Sequence, residues 1–279
     1  MRLKIKLLAA VLLGVWMIAP VMAADTQIKH MPPLSNASWV GPYAGLAFGG
    51  KWNDINWTTT STSDLPGTIV DASSPAQFDA AAAQFGGYAG RNWQQKRWVY
   101  GVELDGAIAN RETSRAGLPG CAIDCAGAPG PGVDQASVKM GWDASARARL
   151  GYLANSDTLI YGAGGVAWQH IETTGFCQHS LSDPQCTVAA GSPLDMQTNS
   201  TTLTGWTIGV GFEARLSGNL ALRGEYRYAD FGKMNGVFAF GAPGGIPGVD
   251  TYRYNLSVNT QVATIGLTYM FGGPTHMSP

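Results

Sequence analysis

Over most of its length the chain alternates apolar and polar residues one for one, the two-residue period of strands with unlike faces. In one segment Met140, Trp142, Ala144, Ala146, Ala148, Leu150 and Tyr152 make an apolar face, with Lys139, Gly141, Asp143, Ser145, Arg147, Arg149 and Gly151 opposite. A second repeats this, with Trp206, Ile208, Val210, Phe212, Ala214 and Leu216 against Thr207, Gly209, Gly211, Glu213 and Arg215. Eight such segments predict strands over 41–52, 82–93, 98–109, 138–153, 157–170, 201–216, 220–230 and 258–271. The gaps Asn53 to Ala81, Asn110 to Ser137, Ile171 to Ser200 and Phe231 to Ser257 each hold about thirty residues and are expected to be loops. The gaps between them are tight: Gln94 to Arg97, Ala154 to Ser156 and Ser217 to Asn219. Long and short connections alternating over an even number of strands put both termini and all tight turns at one end. That organisation predicts an all-β fold, an eight-stranded antiparallel transmembrane barrel with four long extracellular loops and short periplasmic turns.

Alternation alone also fits a soluble sandwich, in which the apolar face packs a core and the charged face meets water. Two features favour lipid. Arg2, Lys4 and Lys6 precede an apolar run from Leu7 to Ile18, and Val21 and Ala23 are small residues placed for cleavage, so residues 1–23 read as a secretory leader. Aromatics also gather at segment ends, with Trp52, Trp142, Trp168 and Trp206 expected at the outer rim and Trp93, Trp98, Tyr152, Tyr269 and Phe271 at the periplasmic one. The domain plan is then leader 1–23, periplasmic linker 24–38, barrel 39–271 and tail 272–279.

Composition removes other classes. Hydrophobic residues make up 45% and the formal net charge is −1, which argues against disorder and against a general attraction to nucleic acid. The 37 glycines, spread through apolar segments, argue against helices.

The segment Trp39-Val40-Gly41-Pro42-Tyr43-Ala44-Gly45 resembles the W-x-G-x-Y-x-G opening of the small outer-membrane immunogenic proteins of alphaproteobacteria, a porin-like, OmpA-membrane-domain-like barrel family. Further similarity lies at Gly86 to Gln94, Arg147 to Tyr152, Tyr161 to Ala167, and Gly205 to Gly232 with its Glu225-Tyr226-Arg227-Tyr228-Ala229-Asp230-Phe231-Gly232. The resemblance implies a barrel in the Gram-negative outer membrane, but no particular activity. Two departures are Arg91, where the family usually has an uncharged residue, and the eight residues after Phe271, the expected terminal aromatic for the insertion machinery.

Pairing arithmetic furnishes the interior. A turn centred on Asn155 would set Trp142 against Trp168, Leu150 against Ile160 and Arg147 against Ala163. A three-residue turn centred on Gly218 pairs Glu213 with Arg223 inside, whereas a two-residue turn would expose Arg223 and Glu225 to lipid. Gln84, Tyr88 and Asn92 are expected inward, leaving Arg91 outward at headgroup level. The expected lumen then holds Glu103, Asp105, Asp143, Glu213 and Glu225 with Arg147, Arg149, Arg215, Arg223 and Arg227. Eight strands leave an interior just wide enough for side chains, so this set reads as a salt-bridged plug in preference to a selectivity filter.

Cys121, Cys125, Cys177 and Cys186 fall in the second and third loops. An oxidising compartment favours disulfides within each loop, Cys121 with Cys125 and Cys177 with Cys186, over a metal site that would add His170 and His179. No cofactor is expected. A lipid-modifying enzyme would call on His170, Glu172 and Ser180 at the outer rim, and no motif surrounds that serine. The preferred reading is a structural, surface-exposed antigen and interaction protein without catalysis, with a narrow solute channel as the alternative. Its expected partners are outer-membrane lipid and lipopolysaccharide, the barrel-insertion machinery through the last strand, and an unnamed extracellular ligand at loops such as Thr58 to Ser63 and Gly241 to Gly248.

Overall fold

In a barrel every strand finds a hydrogen-bonding neighbour on both sides, which lets backbone cross hydrocarbon without orphaned amides. A computed structural model of the chain describes residues 38–62, 70, 72–120, 135–177, 195–241 and 249–271. Within these it forms β1 (Gly41–Thr62), β2 (Ala76–Gln77), β3 (Ala80–Gln95), β4 (Trp98–Ala116), β5 (Gln135–Leu153), β6 (Thr158–Cys177), β7 (Asp195–Ser217), β8 (Leu220–Gly241) and β9 (Val249–Met270). Neighbours pair antiparallel, and β1 with β9 closes a ring of eight long strands. The short β2 lies beside β1 at Asn56 and Trp57. The leader, the linker before Ser38 and the tail 272–279 lie outside the described residues.

The strands run well past their expected outer ends. Most of the polar stretch Thr58 to Ser63 is strand, since β1 continues to Thr62, and β9 starts at Val249 instead of residue 258. One strand explains why. On the outer face of β9, apolar Ala263, Ile265, Leu267 and Tyr269 give way to Gln261, Asn259, Ser257, Asn255 and Arg253. On its inner face Thr268, Thr264 and Thr260 give way to buried Val258, Leu256, Tyr254 and Tyr252. Both faces change character at about residue 260, where the surroundings change from hydrocarbon to water. Below that level the barrel is apolar outside and carries its buried charges inside, and above it the order is that of a soluble barrel. β1 does the same, passing from Leu46 and Phe48 to Asp54 and Asn56 outside, and from Lys51 to Ile55 and Trp57 inside.

Other strands achieve the inversion by bulging. Register shifts lie between Ile108 and Arg111 in β4, Met140 and Asp143 in β5, and Asp230 and Lys233 in β8. One extra residue moves every following side chain to the other face. Met140, expected on the lipid face with Trp142, is therefore fully buried in the interior. Gly232, at φ 67°, supplies the left-handed residue at the β8 bulge.

The β5–β6 register also differs from expectation. Leu150 pairs with Gly162, Arg147 with Gly165 and Ala144 with Trp168, two residues from the arithmetic based on Asn155, because the turn is centred one residue further along, on Ser156, and takes both of its extra residues from the β6 side. An even shift preserves the faces, so Arg147 and Arg149 still point inward and Leu150 outward. β7 and β8 pair Glu213 with Arg223, then tighten beyond Arg215 so that Ser217 meets Leu220.

Glycines and inward aromatics are matched across strands. Tyr88 lies opposite Gly45, Tyr43 opposite Gly90, Tyr161 opposite Gly211 and Tyr254 opposite Gly236. A Cβ at Gly45 would stand 2.3 Å from the Tyr88 ring and one at Gly236 would stand 2.1 Å from Tyr254. The missing side chains are the space into which the rings fold.

Candidate functional site

The inner wall of the barrel is the chemically distinctive surface, and it is filled at three levels. At the periplasmic mouth Trp39, just before β1, is 1% exposed. Its backbone N–H donates to Gln94 at 3.0 Å and its indole N–H to the Ser156 carbonyl at 3.1 Å. Arg215 stacks 4.6 Å above the ring and donates to the carbonyls of Ser38 and Gly218 at 2.5 and 3.1 Å. One tryptophan is thus tied to all three tight hairpins. It packs with Tyr43, Val99, Leu153, Leu159 and Met270 in an apolar cork.

Above the cork lies the charged layer. Glu103 accepts from Arg147 at 2.6 Å, from Arg223 at 2.6 and 2.9 Å and from Arg149 at 3.4 Å. Arg149 also reaches Glu213 at 3.0 Å, and Arg147 reaches Glu225 at 2.7 Å and Asp105 at 3.2 Å. Arg223 bonds Glu225 as well. Arg227 bridges Asp105 at 2.5 Å and Asp143 at 3.0 Å. Tyrosines frame the layer: Tyr43 donates to Glu103 at 2.8 Å and Tyr161 to Glu225 at 2.7 Å, while Arg149 and Arg223 lie 4.0 and 4.1 Å over the rings of Tyr161 and Tyr88. Buried ions persist only when paired and hydrogen-bonded; every ion of this layer is paired, and Glu213 Oε2 and Arg147 Nε are its buried atoms without a hydrogen bond among the described residues.

The membership differs from the expected set in one exchange. Arg215 points inward but lies at the mouth, outside the network, because the β7–β8 turn follows it almost at once. Its place is taken by Lys51, 1% exposed, which donates to Asp143 at 2.7 Å and to Gln169 at 2.5 Å. Lys51 shares the inward parity of Tyr43 and Ala47 on β1, and that parity was the signal available in the sequence. Five acids still face five bases.

The third level is apolar. Ile55, Trp57, Phe78, Leu118, Met140, Ile171, Phe238, Tyr252, Tyr254 and Leu256 form a buried core in the extracellular half. Trp57 stacks on Tyr254 at 4.1 Å. Thr59 and Tyr252 both donate to the Pro119 carbonyl, which seats the segment after β4 over the top. Burial pushes the Tyr254 phenol above its ordinary pKa, against the hydrogen bonds from Asn199 and with Thr173.

Outside, Trp98, Trp142, Tyr152, Trp206, Tyr269 and Phe271 are exposed, as is Trp93, while Trp52 and Trp168 are partly covered. Gln84, Tyr88 and Asn92 are buried and Arg91 is exposed. His170 stacks on Trp142 at 5.7 Å, and its Nε2 faces both Ser200 at 3.3 Å and Glu172 at 3.7 Å. A relay for nucleophilic attack needs the acid on Nδ1 and the serine on Nε2, whereas here Nδ1 faces Thr202 at 3.4 Å. Ser180, His179, Cys121, Cys125 and Cys186 lie outside the described residues, and Cys177 is the last residue of β6.

A closed antiparallel ring with an apolar outer band and aromatic rims defines an integral outer-membrane β-barrel. The family model described as outer membrane protein beta-barrel domain matches residues 11–271, and the chain belongs to that family. It is 29% identical over 258 residues to the 31 kDa outer-membrane immunogenic protein of Brucella melitensis, covering 91% of this chain and 93% of the relative. It is 30% identical over 224 residues to the 25 kDa outer-membrane immunogenic protein of Brucella abortus, covering 78% and 80%. Among solved structures, the outer membrane protein OprG from Pseudomonas aeruginosa aligns with 84% of this chain and 98% of its own at 18% identity and a TM-score of 0.48. The Gram-negative outer membrane is the location these relatives share with this chain.

Proposed function

We propose that the protein is a sealed outer-membrane anchor whose extended barrel presents its extracellular loops as an interaction and antigenic surface, with neither transport nor catalysis. The observation that carries this reading is the filled lumen: an apolar cork, a balanced charged layer and an aromatic core succeed one another along the axis. A channel needs a continuous water path. One void, beside Gln84, Tyr88, Asp105 and Arg227, measures about 30 Å³, room for a water or two. The word immunogenic in the relatives' names fits a surface seen from outside the cell. At the outer rim, the acid and the serine crowd the same nitrogen of His170, which disfavours a lipid-cleaving relay. The refolded protein should give no steady conductance in a planar bilayer and no swelling of solute-loaded liposomes. A stable ohmic conductance would overturn the anchor in favour of the narrow channel.

A further inference from the structure

We propose that the β3–β4 hairpin carries a binding site for an anionic phospholipid of the periplasmic leaflet. Arg91 is exposed on the outer face, and its register partner there is Val102, 54% exposed. A guanidinium among such neighbours must find an anion or bend out of the hydrocarbon. It bends toward the periplasmic edge, with its carbon 5.7 Å from the centroid of Trp93, two residues along the strand. Trp93 stacks on Tyr100 at 6.0 Å, and Trp98 meets Tyr152 edge-on at 5.3 Å. Below this aromatic wall, at the hairpin tip, Arg97 donates to the Tyr152 hydroxyl at 3.4 Å, and Lys96 occupies the turn at φ 57°.

Cations thus bracket an aromatic wall at the depth of lipid headgroups. Residues 80 to 102 contain no acid, and Glu103 and Asp105 further along β4 are bonded inside the lumen. The charge is also local. The β5–β6 turn carries Asp157, and the cation of the third turn, Arg215, is spent on Trp39. Guanidinium groups select phosphate oxygens, and interfacial Trp and Tyr hold glycerol-level groups. Outward Phe85, Val102 and Leu104 continue the surface toward mid-membrane, a track for acyl chains that free phosphate would not use.

The full mature barrel, purified in detergent, should be offered equal amounts of phosphatidylglycerol and phosphatidylethanolamine with identical chains, and the retained lipid read by native mass spectrometry. Phosphatidylglycerol should be retained preferentially, with the preference falling roughly fivefold for each cation removed in Arg91→Gln and Arg97→Gln. Arg91→Lys with Arg97→Lys should keep most of it, and Lys139→Gln at the opposite rim should keep all of it. Unboiled gel mobility checks that each variant is folded. Equal retention of both lipids by the wild type, or a preference that survives the double glutamine variant, overturns the proposal. Release of the lipid by millimolar inorganic phosphate would also overturn it and assign the cations to free phosphate. None of these outcomes depends on whether the lumen conducts.

Discussion

Arg223 lies directly across from Glu213 in the β7–β8 register, yet its guanidinium is bonded to Glu103 on the opposite wall of the barrel, while Glu213 is 3.8 Å away. Register decides which backbones meet. In a lumen this narrow, long side chains choose their partners across it.

The first prediction follows from that relationship. Glu103 serves three guanidinium groups, so Glu103→Gln should destabilise the refolded barrel by about 3 to 5 kcal/mol, the penalty for uncompensated buried charge. Glu213→Ala should cost less, since Arg149 and Arg223 both keep Glu103. Exchanging the register pair, Glu213→Arg with Arg223→Glu, should recover little, because the new acid would face the carboxylates of Glu103 and Glu225 that Arg223 now neutralises. Urea unfolding in lipid vesicles orders the three variants, and recovery by the exchange would return the pairing to the register partners.

Closure of the sheet predicts resistance to detergent. With β1 paired to β9 there is no free edge from which to unzip. Boiled and unboiled samples should therefore migrate differently in a detergent gel, and equal migration would contradict a closed ring.

The extracellular core should be separable from the membrane half. Trp57→Ala removes the centre of the aromatic stack and should cost about 3 to 5 kcal/mol. Proteolysis from the extracellular side should then cut in the upper strands, while the charged layer and the gel shift persist. Trp57→Phe should cost much less, since the indole N–H is buried without a partner among the described residues. Uniform loss of both halves would show that they unfold as one unit.

Alkali should loosen the same region. The Tyr254 phenol is held above its ordinary value of 10.0 by burial, so the folded state favours its neutral form. Its contribution is whole below that value and declines as pH rises from there toward the folded pKa. Absorbance titration should show the buried tyrosines ionising after the exposed ones, and Tyr254→Phe should reduce their number by one.

The transmembrane half was legible because a lipid-facing strand is a strict alternation, and Trp142 to Tyr152 keeps it without interruption. The upper half was hidden. From Asp54 onward in β1 the outward residues are Asn and Thr, which read as loop, and their inward partners Ile55 and Trp57 carry the apolar signal on the face reserved for charge. Bulges added a second obstacle, since the extra residue near Gly141 moves Met140 indoors. The charged residues themselves were visible by parity, Lys51 included. Their bonding was not, because Glu103 and Arg223 are 120 positions apart and meet only through ring closure.

The inverted upper strands act as a stalk. At about 3.3 Å per residue and a tilt of about 40°, the water-facing part of β9 rises on the order of 30 Å above the bilayer. The fixed charges of the membrane surface are screened within about 8 Å at physiological salt. The sequence segments 63–69, 121–134, 178–194 and 242–248 contain four aspartates and neither lysine nor arginine. The outer strand ends therefore stand clear of the membrane's electric field.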